Sequence, residues 1–183
     1  MTHKNTIKAT LLTALIAPIS LPSASLQSSE WQAPNPCRSD AGFNDFDFWL
    51  GSWSVTDSNT NKLAGTNKIT KVENGCLILE HWTSATGGTG QSINYYNPLT
   101  KRWRQVWVAS AGYSIDFSGS IKDGSMIMEG NIFYYNNSRT YPFRGTWTPI
   151  EGGYVRQSFE QFDPSSNSWQ PWFDGLYKKV MSE

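Results

Sequence analysis

The segment Glu80-His81-Trp82 combines ionisable side chains of the types used in acid–base chemistry. Neighbouring residues of a β-strand point to opposite faces, so Glu80 and His81 cannot both face one cavity. Glu80 would share its face with Ile78 and Trp82, and apolar surroundings of this kind raise the pKa of a carboxyl group. An inward Glu80 predicts a site for a cationic ligand group, or a general base if the protein is an enzyme. The alternative is a buried, hydrogen-bonded structural carboxylate, for which an arginine could serve as a partner.

Motifs for other kinds of chemistry are missing or incomplete. Apart from His3 near the N-terminus, His81 is the only histidine, which excludes a metal site built on two histidines in the rest of the chain. The glycine-rich segment 87–90 lacks the lysine of a phosphate-binding loop. We therefore predict neither a metal nor a cofactor. A glycosidase-like pair of carboxylates stays open, although the spacing does not indicate one. Its candidates are Glu80, Asp116, Glu160 and Asp174.

Two segments place large aromatic rings and amide side chains on one strand face. Trp103, Gln105 and Trp107 alternate in one segment, and Gln157 and Phe159 in the other. Flat rings with a few orienting amides are typical of a ligand cavity. The alternative is that the rings only fill a closed core. The predicted ligand-binding residues are Glu80, Trp82, Trp103, Gln105, Trp107, Gln157 and Phe159.

Turn signals divide the chain from residue 46 onward into short segments rich in β-branched and aromatic residues. They recur every ~10–15 residues, which is typical of an antiparallel meander closed as a barrel or folded as a sandwich. The signals are Asp57-Ser-Asn, Glu73-Asn-Gly, Gly87-Gly88, Asn97-Pro98, Ala111-Gly112, Asp123-Gly124, Asn136-Asn137, Glu151-Gly-Gly and Asp163-Pro164. We predict an all-β fold of about nine or ten strands.

Two of these turns repeat one pattern, in which an aromatic residue precedes Asx-Pro and a tryptophan follows. They are the segments 96–103 and 162–169. The Asx side chain can accept a hydrogen bond from the backbone two residues on, and proline fixes φ at the second turn position. The pattern predicts two hairpins in which the flanking aromatic residues pack side by side.

The composition of the 183 residues narrows the function classes. Lysine plus arginine and aspartate plus glutamate number 15 each, so the formal net charge is zero, and aromatic residues make up 14%. The neutral balance argues against nucleic-acid binding, which needs a basic surface. The aromatic content argues against a disordered chain and suits a partner that is a small apolar or aromatic molecule. The sequence does not predict an oligomeric state.

The first 25 residues are typical of a signal peptide. Lys4 and Lys8 precede a short apolar run, and Ser23-Ala24-Ser25 provides the small residues of a cleavage site. The run is too short for a membrane span. We therefore expect a secreted or periplasmic protein without a membrane span, with an irregular arm over residues 26–44 and the β domain over residues 45–180.

The chain contains two cysteines, Cys37 and Cys76. In an oxidising compartment, a single pair of this kind predicts one disulfide that staples the fold. Two free buried thiols are the alternative. A redox role is not indicated, because the Cys-x-x-Cys spacing is absent.

The opening Phe46-Asp-Phe-Trp-Leu-Gly-Ser-Trp53 contains Gly51-x-Trp53, in which glycine allows a sharp bend and the indole closes the base of a barrel. This opening resembles the first strand of lipocalin-like (calycin) β-barrels. The longer string resembles a family of exported bacterial proteins of unknown function. Further matching segments extend the resemblance over residues 37–179: Asn74-Gly-Cys76, Glu80-His-Trp82, Gly87-Gly-Thr-Gly90 and Asp174-Gly-Leu-Tyr177.

The resemblance implies a lipocalin-like barrel with a basic residue of the last strand, Lys178 or Lys179, packed over Trp53. The resemblance implies no particular activity, whereas the aromatic and amide faces favour binding of a small apolar or planar molecule. A cofactor-independent isomerase, cyclase or hydrolase with Glu80 as base is one alternative. A surface module that stacks aromatic residues on sugars or on a protein partner is the other.

Overall fold

The computed structural model describes Met1 and residues 35–180. The rest of the predicted signal peptide and residues 26–34 of the predicted arm lie outside the described residues. Among the residues that are described, no helix is long and apolar enough to cross a membrane.

Ten antiparallel strands form a closed barrel. Each strand pairs with the next along the chain, and the first pairs with the last. The strands are β1 (Gly51–Asp57), β2 (Leu63–Val72), β3 (Leu77–Ser84), β4 (Thr89–Asn97), β5 (Arg102–Ala109), β6 (Tyr113–Lys122), β7 (Ser125–Tyr134), β8 (Arg139–Ile150), β9 (Tyr154–Asp163) and β10 (Ser168–Lys179). The prediction of an all-β meander of nine or ten strands, closed as a barrel, is confirmed.

The predicted turn signals fall at the connections between these strands, and both Asx-Pro hairpins form as expected. The N–H of Leu99 donates to Asn97 Oδ1 at 3.0 Å, and the N–H of Ser165 donates to Asp163 Oδ1 at 2.9 Å. The flanking rings lie side by side on paired strands, Tyr96 with Trp103 and Phe162 with Trp169. Local turn chemistry thus sets the register of both hairpins.

The segment before β1 differs from the sequence expectation, because it forms short helical turns where we expected an irregular arm and a strand beginning near Phe46. Helix α1 (Pro36–Ser39) is followed by 3₁₀ turns over Ala41–Asn44 and Asp47–Trp49. Asn35 and Asp40 cap the first two turns through their side chains. β1 begins at Gly51, where a φ of 135° favours glycine.

These helical turns close one end of the barrel. Phe46 and Trp49 stack with ring centroids 4.8 Å apart, and both rings contact Trp147 of β8. Trp53 donates from its indole N–H to the carbonyl of Trp49 at 2.9 Å. We call the fully buried rings at this end the basal cluster: Phe46, Trp49, Trp53, Trp103 and Trp147.

Two tethers hold the helical segment to the end of β2 and to the turn between β2 and β3. Cys37 of α1 forms the predicted disulfide with Cys76, with a Cα–Cα distance of 5.0 Å. The Lys71 ammonium of β2 donates to the carbonyl of Phe43 at 2.9 Å and to Asp47 Oδ1 at 2.7 Å. The closed end is therefore fixed by a covalent bond, a salt bridge and apolar burial together.

Candidate functional site

A cavity of about 230 Å³ lies inside the barrel, on the side away from the basal cluster. It extends from Glu80 and Gln105 at its inner end to Ser84 and Trp172 near the strand ends. Trp172 is 37% exposed, so the cavity reaches the protein surface beside this ring. One half of the barrel interior is packed with aromatic rings, whereas the other half encloses space that is accessible from outside.

Six of the seven residues predicted from the sequence line this cavity: Glu80, Trp82, Gln105, Trp107, Gln157 and Phe159. They come from β3, β5 and β9, whose inward faces alternate as the sequence pattern predicted. His81 lies on the exposed face of β3, opposite Glu80.

Trp103 does not line the cavity, and its prediction as a ligand-binding residue is not matched by its position. The side chain is 1% exposed and belongs to the basal cluster. Its indole N–H donates to the carbonyl of Gly42 at 3.1 Å, and its ring meets Phe46 edge-on. Trp103 instead fills a closed core, which was the alternative. It pairs with Tyr96 beside the turn at the closed end of the barrel.

Glycines on neighbouring strands make room for the two tryptophans of the cavity wall. A Cβ atom at Gly90 of β4 would collide with the Trp107 ring, and one at Gly65 of β2 would contact the Trp82 ring too closely. The sequence thus allows both indoles to lie against bare backbone. The glycine-rich segment 87–90, which lacks the features of a phosphate-binding loop, includes one of these positions.

Neutral hydrogen-bond donors hold Glu80 at the inner end of the cavity. Asn67 Nδ2 of β2 donates to Glu80 Oε1 at 2.7 Å, and Ser92 Oγ of β4 donates to Oε2 at 2.6 Å. Asn94 in turn donates to Ser92 Oγ at 2.8 Å and accepts from Gln105. We call these five side chains the polar layer, and each is buried.

Glu80 has no cationic partner among the described residues. Their salt bridges join Lys71 to Asp47, Arg104 to Asp116, Arg144 to Glu160, and Arg156 to Asp174. The alternative of a structural carboxylate is matched in its burial and its hydrogen bonds, but an arginine partner is not observed among these residues. Burial raises the pKa of Glu80 to about 7, against the opposing effect of the hydrogen bonds from Ser92 and Asn67.

The other three candidate carboxylates are held by arginines across neighbouring strands. Asp116, Glu160 and Asp174 follow the inward residues Ile115, Phe159 and Phe173 and do not line the cavity. A glycosidase-like pair with Glu80 is therefore not formed. Within the described part of the chain, no three His, Cys, Asp or Glu side chains converge as a metal site.

Several cavity residues were missed by the sequence analysis. Tyr113 of β6 and Trp172, Phe173 and Tyr177 of β10 line the cavity. Alternation with Ile115 and Phe117 would have found Tyr113. In β10 the register shifts between Pro171 and Phe173, so two successive rings line the cavity and simple alternation fails.

Gln157 of β9 contributes a further buried polar group to the cavity lining, in addition to Glu80 and Gln105. It is 4% exposed, and its Oε1 makes no hydrogen bond within the described residues. An unpaired buried acceptor is costly unless a bound group satisfies it. Together with Glu80, it gives the cavity two hydrogen-bond acceptors among aromatic surfaces.

No protein-family model matches the chain, and none of the curated proteins is significantly similar to it.

Proposed function

We propose that the protein binds a small, planar and largely apolar molecule inside the barrel, as an exported lipocalin-like protein. The observation that carries this proposal is the cavity above the basal cluster, with rings on its walls and two buried acceptors. A cavity of about 150 Å³ lined by apolar side chains is enough for benzene. The volume of about 230 Å³ suits a molecule of one or two rings.

The shape of the walls supports a planar ligand. Trp82 and Phe173 meet edge-on with centroids 6.3 Å apart, and Phe159 lies 6.2 Å from Phe173. Aromatic rings prefer offset-stacked or edge-to-face neighbours, and a flat ligand ring can make both kinds of contact. If these rings served only as a packed core, we would expect them to fill the barrel interior without a cavity, as the rings of the basal cluster do.

Two further features support the proposed similarity to lipocalin-like barrels and the proposed export. Lys179 of β10 lies with its Nζ 5.3 Å from the centroid of the Trp53 ring, which agrees with the lipocalin-like arrangement. The disulfide between Cys37 and Cys76 supports export, since disulfides form and persist mainly in oxidising compartments.

Calorimetric titration with 2-naphthalenemethanol, a neutral two-ring compound, tests the proposal. We expect binding with a Kd in the micromolar range. Trp107→Ala removes a wall of the cavity and should weaken binding at least about tenfold, which is within the range for a buried aromatic contact. Trp169→Ala is the matched control, because Trp169 packs against Phe162 and under the Arg144 guanidinium and does not line the cavity.

If the folded protein binds neither this compound nor other ring compounds of this size, neutral or charged, the proposal is contradicted. An equal loss of affinity in both tryptophan variants would also contradict it, because the cavity would then not be the site.

The buried carboxyl of Glu80 favours one second candidate, a cofactor-independent isomerase, cyclase or hydrolase. A group whose pKa is raised to about 7 suits a general base near neutral pH. Native mass spectrometry of protein from its own source would identify a retained molecule, which can then be incubated with the protein. Chemical conversion that falls at least about 10²-fold in Glu80→Gln would favour the enzyme; unchanged recovery of the molecule would favour the binding protein.

A further inference from the structure

We propose that the bound molecule is a cation, an aromatic ring system with a protonated amine or amidine whose N–H groups donate to Glu80. This inference rests on the proposed function and names the chemical class of the ligand.

The inner end of the cavity can accept additional hydrogen bonds. Glu80 is 4% exposed, and the structure gives one donor to each of its oxygens, Asn67 to Oε1 and Ser92 to Oε2. An ionised carboxylate offers about four lone-pair sites, so further donors can bind. Gln157 adds a buried amide oxygen without a partner in the described chain. A ligand that carries several N–H groups matches these acceptors.

Positive charge is what the site lacks. Among the described residues, no lysine, arginine or histidine lines the cavity, and the salt bridges do not involve Glu80. A buried carboxylate without a counter-charge is unfavourable, because hydrogen bonds from neutral groups replace only part of its hydration. A ligand ammonium at the inner end of the cavity would supply the missing charge.

The aromatic walls of the cavity also favour a positively charged ligand. Trp82 and Trp107 present indole rings to the cavity, and the negative face of an aromatic ring attracts cations. An anionic ligand would meet both the carboxylate of Glu80 and the electron-rich ring faces. The site therefore selects cations over neutral analogues and rejects anions.

Ionisation of Glu80 should then control affinity. The titratable groups that face it are the phenols of Tyr113 on β6 and Tyr177 on β10, and burial raises the pKa of both. Asn67 and Ser92 are neutral, and His81 lies on the opposite, exposed face. Glu80 is thus the cavity group that titrates near neutral pH, with a pKa of about 7. A cation requires the ionised form, so it should bind more tightly as the pH rises through this value.

Three indole compounds of similar size separate the possibilities by calorimetry: tryptamine (cation), indole-3-ethanol (neutral) and indole-3-propionate (anion). At about pH 8 we expect tryptamine to bind at least about tenfold more tightly than indole-3-ethanol, and indole-3-propionate to bind most weakly. Glu80→Gln should remove the preference for tryptamine. Glu160→Gln, which changes a carboxylate paired with Arg144 outside the cavity, is the matched control and should leave it intact.

The pH profile of the unmodified protein tests the inference without any variant. With a pKa of about 7, tryptamine affinity should rise about tenfold between pH 6 and pH 8, while indole-3-ethanol affinity stays flat. Binding of tryptamine near pH 6 should also release a proton, seen as a heat that depends on the ionisation enthalpy of the buffer. This measurement decides the matter if Glu80→Gln fails to fold.

Equal affinities for tryptamine and indole-3-ethanol, or a flat tryptamine profile, would overturn the cation inference and leave the proposed function intact. Binding of 2-naphthalenemethanol without binding of tryptamine would do the same. If neither tryptamine nor any neutral ring compound binds, the proposed function fails together with the inference.

Discussion

Glu80 makes the stability of the free protein depend on pH in a defined direction. Its folded pKa of about 7 lies above the ordinary value of 4.5, so the folded state favours the protonated carboxyl. The associated stability is fully present below about pH 4.5 and is lost as the pH rises to about 7. The shift corresponds to a loss on the order of 3 kcal/mol in the free energy of unfolding.

Glu80→Gln keeps the hydrogen-bonding shape without the titration, so its stability should stay flatter over this range. Urea unfolding of both proteins between about pH 4.5 and pH 8 measures the difference. Asp57, Asp163 and Asp174 have lowered pKa values, so their stabilising contributions are lost only at more acidic pH. Parallel stability curves for the two proteins would contradict the prediction.

Strand alternation predicted which residues share a face of a strand, but not which face points inward or how deep each residue lies. Trp103 and Trp107 share one face of β5, yet one belongs to the basal cluster and the other to the cavity wall. The depth of a residue in the barrel depends on where the helical turns over residues 36–49 pack. Strand alternation does not encode that position. Asn67 and Ser92 were missed for a related reason, since they reach Glu80 from neighbouring strands through a pairing register that the sequence does not state.

At the scale of elements, the disulfide should contribute a large share of the closed end's stability. It joins residues 39 apart in sequence, and the chain-entropy account gives roughly 4 kcal/mol for a loop of this length. Cys76→Ser should lower the free energy of unfolding by up to this amount, measured by urea unfolding.

Reduction of the unmodified protein with dithiothreitol is the matched control and should reproduce the loss. Denatured, non-reduced protein from its native compartment should show no free thiol. Two alkylatable cysteines in that sample would contradict the predicted staple.

Turns were predictable from the sequence because Asx, Pro and Gly act within a few residues of the chain. The helical turns over residues 36–49 were not, because each is shorter than the span over which helical periodicity can be recognised. Side-chain caps on Asn35 and Asp40 and the burial of Phe46 and Trp49 produce them. The register shift after Pro171 was also missed. Proline cannot donate to the sheet ladder, and the strand accommodates it by this local shift, which alternation along the sequence does not show.

At the scale of the whole molecule, the barrel divides into a packed half and a hollow half. The basal cluster buries its rings completely, whereas the cavity reaches solvent beside Trp172, which is partly exposed. On the β2–β5 side of the barrel, the polar layer supplies directional contacts at the inner end of the cavity. Stability and binding should therefore depend on different tryptophans.

A pair of alanine substitutions tests this division. Trp49 is fully buried in the basal cluster, so Trp49→Ala should cost about 3–5 kcal/mol in the free energy of unfolding. Its distance from the cavity lining should leave the affinity for 2-naphthalenemethanol largely unchanged. Trp107→Ala, which enlarges a space already open to solvent, should do the reverse, with a smaller loss of stability and a large loss of affinity. Urea unfolding measures the free energy of unfolding of both variants, and calorimetry measures their affinity for 2-naphthalenemethanol. If Trp49→Ala does not fold, Trp49→Phe replaces it. Equal losses of stability and affinity in the two variants would mean that the interior is one continuous core, in which binding and folding are not separated.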